Sequence, residues 1–129
     1  MIDTFLQEFI LDHYRNPRNY GTLEKPDIRH RESNPTCGDE IQLDIQLKDG
    51  RIADIRFSGH GCAISMAAAS ILTEMVKGRT LEDVKRLGKE EMLRGLRIPV
   101  GPVRLKCALL ALKVLKAGVY GIRGWPGED

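Results

Sequence analysis

Apolar residues near the start of the chain recur every three or four positions. Ile2, Phe5, Leu6, Phe9 and Ile10, with His13 in the same register, lie on one face of an amphipathic helix. Thr4 with Gln7 forms a capping box, and Asp3 is a rival cap. Asn16-Pro17 ends the helix, because a residue before proline is pushed out of helical geometry. An irregular stretch from Asn16 to Lys25 follows, punctuated by Gly21 and Pro26. The period then shortens to two. Ile41, Leu43, Ile45 and Leu47 alternate with Gln42, Asp44, Gln46 and Lys48, the pattern of a strand with one buried face. Asp49-Gly50 predicts a tight hairpin, and Ala53, Ile55 and Phe57 alternate with Asp54 and Arg56 on the returning antiparallel strand. A further strand is expected over Ile28 to Glu32.

After Phe57 the helical period returns. Ser58-Gly59-His60-Gly61 reads as a polar turn and Cys62 as the start of a helix. Its buried stripe is Ala63, Ile64, Ala67, Ala68, Ile71, Leu72, Met75 and Val76, and Gly78 stops it. Thr80 opens a short helix containing Val84 and Leu87, and Lys89 to Arg97 holds another turn or two. Pro99, Gly101 and Pro102 break the pattern. A final helix from about Val103 to Ala117 is apolar on most sides, which makes it central, with Gly118 as its stop; the tail beyond looks loosely held. Strands grouped together and helices grouped after them predict an α+β fold: a small antiparallel three-stranded sheet with helices packed on one face.

Composition narrows the function. The 129 residues make one domain, residues 1–129, of ordinary globular composition, 42% hydrophobic and 29% charged. A net charge of +2 and 5% aromatics argue against a nucleic-acid partner. No apolar run reaches membrane-spanning length, and the acidic start is not a secretory signal, so a cytoplasmic protein is expected. Three cysteines are an odd number without an export signal, which argues against a disulfide framework.

The cysteines sit at element boundaries. Cys37 precedes the alternating strand in Asn34-Pro35-Thr36-Cys37-Gly38-Asp39, Cys62 follows Gly59-His60-Gly61, and Cys107 follows Arg104-Leu105-Lys106 near the start of the last helix. Three unconnected buried thiols would suit Cys107, whose helix is apolar. Such a reading suits Cys37 and Cys62 poorly, because both lie among glycines and polar residues. Convergence at one end of the sheet accounts for all three. A helix N-terminus favours a thiolate, Gly38, Gly59 and Gly61 permit close backbone approach, and Asp39 supplies a fourth donor. Three thiolates and a carboxylate suit Zn²⁺ or an iron–sulfur cluster, with Arg104 and Lys106 offsetting the excess negative charge. Lys106 would also favour the thiolate form of Cys107. His60 reads as a surface residue, His13 as packed and hydrogen-bonded, and His30 as exposed.

These residues resemble the iron–sulfur cluster assembly family that includes IscU, SufU and the N-terminal domain of NifU. The resemblance runs from Asp12-His13-Tyr14-Arg15-Asn16-Pro17-Arg18-Asn19 to the last helix. Asn34-Pro35-Thr36-Cys37-Gly38-Asp39 is similar to the first cysteine motif. Gly59-His60-Gly61-Cys62-Ala63-Ile64-Ser65 and Arg104-Leu105-Lys106-Cys107-Ala108 are similar to the second and third in their SufU form. The resemblance implies the SufE/NifU-like α+β fold, a centre of Cys37, Asp39, Cys62 and Cys107 holding Zn²⁺ or a [2Fe–2S] cluster, and a cysteine desulfurase as sulfur donor. It also implies an apoprotein or Suf-type recipient. It points to a scaffold or sulfur carrier rather than a conventional enzyme, with Cys107 the first candidate to accept sulfur, because Lys106 would favour its thiolate, and Cys37 and Cys62 as alternatives. Lys106 stands where IscU-like members have histidine, and an ammonium has no lone pair for a metal. Ile98-Pro99-Val100-Gly101-Pro102-Val103 lacks the Leu-Pro-Pro-Val-Lys sequence of IscU-like members, and the SufU insertion between the second and third cysteines is missing. Four readings stand at this point: cluster scaffold, zinc-dependent sulfurtransferase, metal-stabilised interaction module, and a thiol enzyme using one cysteine alone, for which the sequence offers no convincing histidine–acid partner. The oligomeric state is also open.

Overall fold

The computed structural model describes residues 4–35 and 38–126. Helix α1, Thr4–Arg15, leads through an irregular segment to three strands: β1 (Ile28–Asn34), β2 (Asp39–Lys48) and β3 (Arg51–His60). Helices α2 (Ala63–Val76), α3 (Leu81–Arg86) and α4 (Lys89–Leu96) follow, then a 3-10 turn at Pro102–Arg104 and helix α5 (Leu105–Tyr120). The strands form one antiparallel sheet in the order β1-β2-β3. This is the α+β architecture expected from the alternation of periods. Among the described residues, no helix is long and apolar enough to cross a membrane.

One sheet face supplies Ile41, Leu43, Ile45, Ile52, Ile55 and Phe57 to a core completed by the buried residues of α2 and α5. Helix α5 is buried on nearly every side, from Cys107 through Leu112 and at Val114 and Leu115, as its apolar composition predicts. The hairpin turns at Asp49 and Gly50, both with positive φ, 54° and 74°, which suits the right-handed twist of the flanking strands. Next to it the expected alternation slips. Gln46 pairs with Asp54 but Leu47 pairs with Ile52, leaving Ala53 as the extra residue of a β-bulge. Ile52 therefore takes the core position and Ala53 faces solvent, the reverse of strict alternation.

Three other boundaries differ from the sequence reading. Strand β1 runs on to Asn34. Ser58, Gly59 and His60 belong to β3, paired with Gln42, Ile41 and Glu40, rather than to a turn. Gly118 lies inside α5, where a Cβ would stand 3.0 Å from His30 Cβ and 3.3 Å from Ile28 Cγ2; the glycine lets the helix press on β1. The left-handed cap is Gly121, three residues later. The chain beyond is held through Trp125, whose ring lies 5.2 Å from Lys106 Nζ and 5.3 Å from Lys113 Nζ.

The Asp12–Asn19 segment clamps α1 to α2. His13 is buried, its Nδ1 lies 2.7 Å from Ser70 Oγ, and the same oxygen accepts the Arg18 N–H at 2.9 Å. Asn19 donates to Thr73 Oγ1 at 3.0 Å. His13 is thus the packed, hydrogen-bonded residue expected. His30 is partly buried and lies 2.6 Å from Glu32 Oε2 rather than standing free. The polar sheet face is partly covered by the irregular segment. There Asp44, 1% exposed, accepts from the Arg29 guanidinium, the Leu23 N–H and the Gln42 amide.

Candidate metal and sulfur centre

Three element boundaries meet at one end of the sheet. Asp39 opens β2, Cys62 is the N-cap of α2, and Cys107 lies in the first turn of α5. A carboxylate oxygen of Asp39 and the sulfurs of Cys62 and Cys107 all lie within 4.8 Å of one another, although 23 and 45 positions separate them along the chain. Cys37 lies outside the described residues; it belongs to the connection between Asn34 and Asp39, which are paired across β1 and β2.

Asp39 is held by backbone. Its Oδ1 accepts the Cys62 N–H at 3.0 Å, while Oδ2 is buried and has no hydrogen-bond partner. Gly61 makes this approach possible. A Cβ there would collide with Ser65 Oγ and stand 2.6 Å from Asp39 Oδ1 and 3.1 Å from Asp39 Cβ. Gly59 performs the same service for the strands, since a Cβ would run into the Glu40 carbonyl, and Gly38 has a φ of 74°, suited to the turn into β2. Both glycines therefore shape the backbone around the centre, while Gly61 alone abuts its carboxylate.

The two described thiols differ. Cys107 is fully buried, and Cys62 is partly exposed. The Cys62 sulfur lies 3.8 Å from Ser65 Oγ and makes no capping hydrogen bond of ordinary geometry. Burial pushes its pKa up, but Ser65's backbone N–H and hydroxyl and the Cys107 thiol stabilise the anion more strongly. The result lies below the ordinary thiol value despite the nearby Asp39 charge. Ser65, at the helix N3 position, is the last residue of the second cysteine motif, and its spacing three residues beyond an N-cap is the signal of its role.

Arg104 is the cation of the site. Its hydrogen bond to Cys107, with attraction to the Cys62 and Cys107 thiolates, holds its pKa above the usual guanidinium value. Lys106, by contrast, sets its ammonium over Trp125. His60 has 72% of its side chain exposed and faces Glu40 at 3.8 Å, outside the cluster, which agrees with its surface reading. A cavity of about 430 Å³ opens beside the centre between Asn34, Pro102, Val103, Leu105 and Lys106. A carboxylate with one buried, unpartnered oxygen, grouped with two thiols, is a donor set fit for Zn²⁺ or for iron in a cluster.

Comparison with known proteins agrees with this geometry. The model of the NifU-like N-terminal domain matches residues 6–127. The chain belongs to that family. It is 38% identical to the zinc-dependent sulfurtransferase SufU of Bacillus subtilis, over 92% of this chain and 91% of that protein. The iron–sulfur cluster assembly scaffold protein IscU of Haemophilus influenzae is also 38% identical, over 93% of this chain and 97% of its own length. Mitochondrial iron sulfur cluster assembly protein 1 of Debaryomyces hansenii is 40% identical over 90% of the chain, which spans 66% of that longer relative. The crystal structure named as that of a "putative iron-sulfur cluster assembly scaffold protein for SUF system" from Fervidobacterium islandicum AW-1 superposes with a TM-score of 0.75 at 29% identity, covering 87% of this chain and 94% of that one.

Proposed function

We propose that this protein accepts sulfur from a cysteine desulfurase and holds Zn²⁺ or a nascent [2Fe–2S] cluster for onward delivery to a recipient protein. Cys37, Asp39, Cys62 and Cys107 are its donors. One observation carries the reading: a buried, unpartnered carboxylate oxygen of Asp39 beside two thiols from distant parts of the chain. The relatives named as sulfurtransferase and as scaffold support the two halves of the proposal.

Zinc, when bound, holds its sulfur ligands as thiolates. The chain's own residues do the rest. Asp39 is fixed by the Cys62 N–H, which holds the carboxylate beside the thiols with its other oxygen free to take a cation. Ser65 and Arg104 stabilise thiolate charge. In sulfur acceptance, a thiolate attacks the terminal sulfur of the desulfurase persulfide. A new S–S bond forms on this chain, the donor's S–S bond breaks, and the donor cysteine leaves as thiolate; no external oxidant or reductant enters. Among the described thiols, a persulfide arriving from solvent meets Cys62 first. Cys107 is fully buried, so it takes sulfur only after a rearrangement that uncovers it.

In the carrier reading, sulfur is relayed on the same four donors without a cluster being built. The residue before Cys107 is a lysine engaged with Trp125, so the fourth donor is the carboxylate of Asp39. Metal and protein-bound acid-labile sulfide in anaerobically purified protein, measured before and after incubation with a desulfurase, cysteine, ferrous iron and a thiol reductant that takes persulfide sulfur to sulfide, test the proposal. Zinc with faster desulfurase turnover and no sulfide identifies the carrier, and sulfide with visible absorbance identifies the scaffold. Neither metal, sulfide nor faster turnover contradicts both.

A further inference from the structure

Asn34 and Asp39 are Cα partners in the β1–β2 ladder, so their side chains leave the sheet on the same face. Both residues are 1% exposed. Among the described residues, Asn34 Nδ2 and Asp39 Oδ2 are the buried side-chain polar atoms without a hydrogen-bond partner. Native interiors leave few such atoms, and each calls for a cause. Here an orphan donor and an orphan acceptor stand side by side without satisfying one another.

The two orphans need different things. Asp39 Oδ1 is taken by the Cys62 N–H, which leaves Oδ2 for a cation. An amide N–H cannot bind a cation; it needs an acceptor. When the centre is loaded, the acceptors it gains are sulfur anions, the thiolates of its cysteines or sulfide delivered to it. We propose that Asn34 is a positioning residue of the centre, its Nδ2 donating a hydrogen bond to a sulfur anion once zinc or a cluster is held. This inference rests on the metal-centre reading given above. Such an outer donor orients the sulfur and spreads its charge, which strengthens binding and tunes the centre. In the metal-free protein the same N–H is unsatisfied. Asn34 therefore works against the stability of the empty protein and in favour of the loaded one.

Those opposite signs make the test. Asn34→Leu keeps the size of the side chain and removes the donor. Its zinc dissociation constant, measured by competition with a chromophoric chelator, is expected to rise roughly 10- to 100-fold, while the melting temperature of the metal-free protein stays equal or increases. An affinity within twofold of wild type, or a metal-free protein that melts several degrees lower, overturns the proposal. The ¹⁵N-labelled wild-type chain supplies a readout independent of the variant's folding. On zinc loading, the Asn34 side-chain amide protons are expected to shift and to exchange more slowly with solvent. If wild type binds zinc and those protons do not respond, the role of Asn34 alone is overturned. A wild type that binds neither zinc nor a cluster overturns the metal-centre reading, and the role of Asn34 with it.

Discussion

The backbone N–H of Cys62 donates to Asp39 Oδ1 at 3.0 Å, across 23 positions of sequence. That bond ties the first residue of β2 to the N-cap of α2 and leaves the other carboxylate oxygen buried and unpartnered. Asp39→Ala removes both a ligand and the acceptor for this N–H. Zinc affinity is expected to fall at least about 100-fold, the upper end of what losing an outer partner costs. A carrier loses sulfur acceptance along with the zinc. In a scaffold, Asp39→Cys is expected to lengthen the life of the cluster, since a hard carboxylate holds iron less tightly than thiolate does. Chelator competition and the decay of visible absorbance read the two outcomes.

Gly61→Ala tests the same contact from the other side. The added methyl meets Ser65 Oγ and Asp39 Oδ1, so either the carboxylate or the start of α2 must shift. We expect the fold to persist, with unchanged far-ultraviolet circular dichroism, and zinc affinity to drop by roughly 10-fold or more. Unchanged affinity would show that Asp39 does not need its present position.

The two described thiols are predicted to react at different rates in the metal-free protein. Cys62 is partly exposed with a lowered pKa, whereas Cys107 is fully buried. Limited alkylation followed by peptide mass spectrometry should label Cys62 at least about 10-fold faster, because the thiolate is the nucleophile and must be reached. The pH midpoint of that labelling should lie below the ordinary thiol value. Equal rates would mean that α5 opens freely.

Asp44 sets a pH dependence for stability. Burial raises its pKa, but hydrogen bonds from Arg29, Leu23 and Gln42 outweigh that, so the folded value lies below 3.8. A depressed carboxylate contributes stability that is fully present above the unfolded pKa and is lost as pH falls through the folded one. Stability should therefore decline as pH drops from about 4, and Asp44→Asn should flatten that decline in urea titrations. At neutral pH, Asp44→Ala should cost about 2 kcal/mol, the range for charged hydrogen bonds, moderated because Arg29 can turn to water. His13 acts at higher pH. Burial lowers its pKa below 6.5, so its neutral form contributes stability above that value which fades as pH falls.

The hairpin, the helices and the meeting of Asp39, Cys62 and Cys107 were legible because each leaves a local mark: period two, Asp49-Gly50, helical stripes, and cysteines beside glycines at element boundaries. What was not legible depends on contacts between distant segments. The exchange of Ala53 for Ile52 follows from a bulge opposite Gln46 and Leu47, and nothing in residues 51–57 signals it. Gly59 resembles a turn residue, yet it lies in β3 because the Glu40 carbonyl leaves no room for a Cβ. Gly118 resembles a helix stop for a similar reason, its missing side chain being required by β1. Lys106 sits one residue from Cys107, but helical geometry turns neighbouring side chains about 100° apart, and its ammonium goes to Trp125 while Arg104 serves the thiols.

X-ray absorption at the zinc edge of zinc-loaded protein tests the central claim most directly, that Asp39, Cys62 and Cys107 ligate one centre. The account predicts a tetrahedral first shell in which sulfur at about 2.3 Å is joined by one lighter ligand at about 2.0 Å, with the light ligand changed in Asp39→Ala and sulfur lost in Cys62→Ser and Cys107→Ser. A shell of oxygen and nitrogen alone, or one indifferent to all three substitutions, would contradict it.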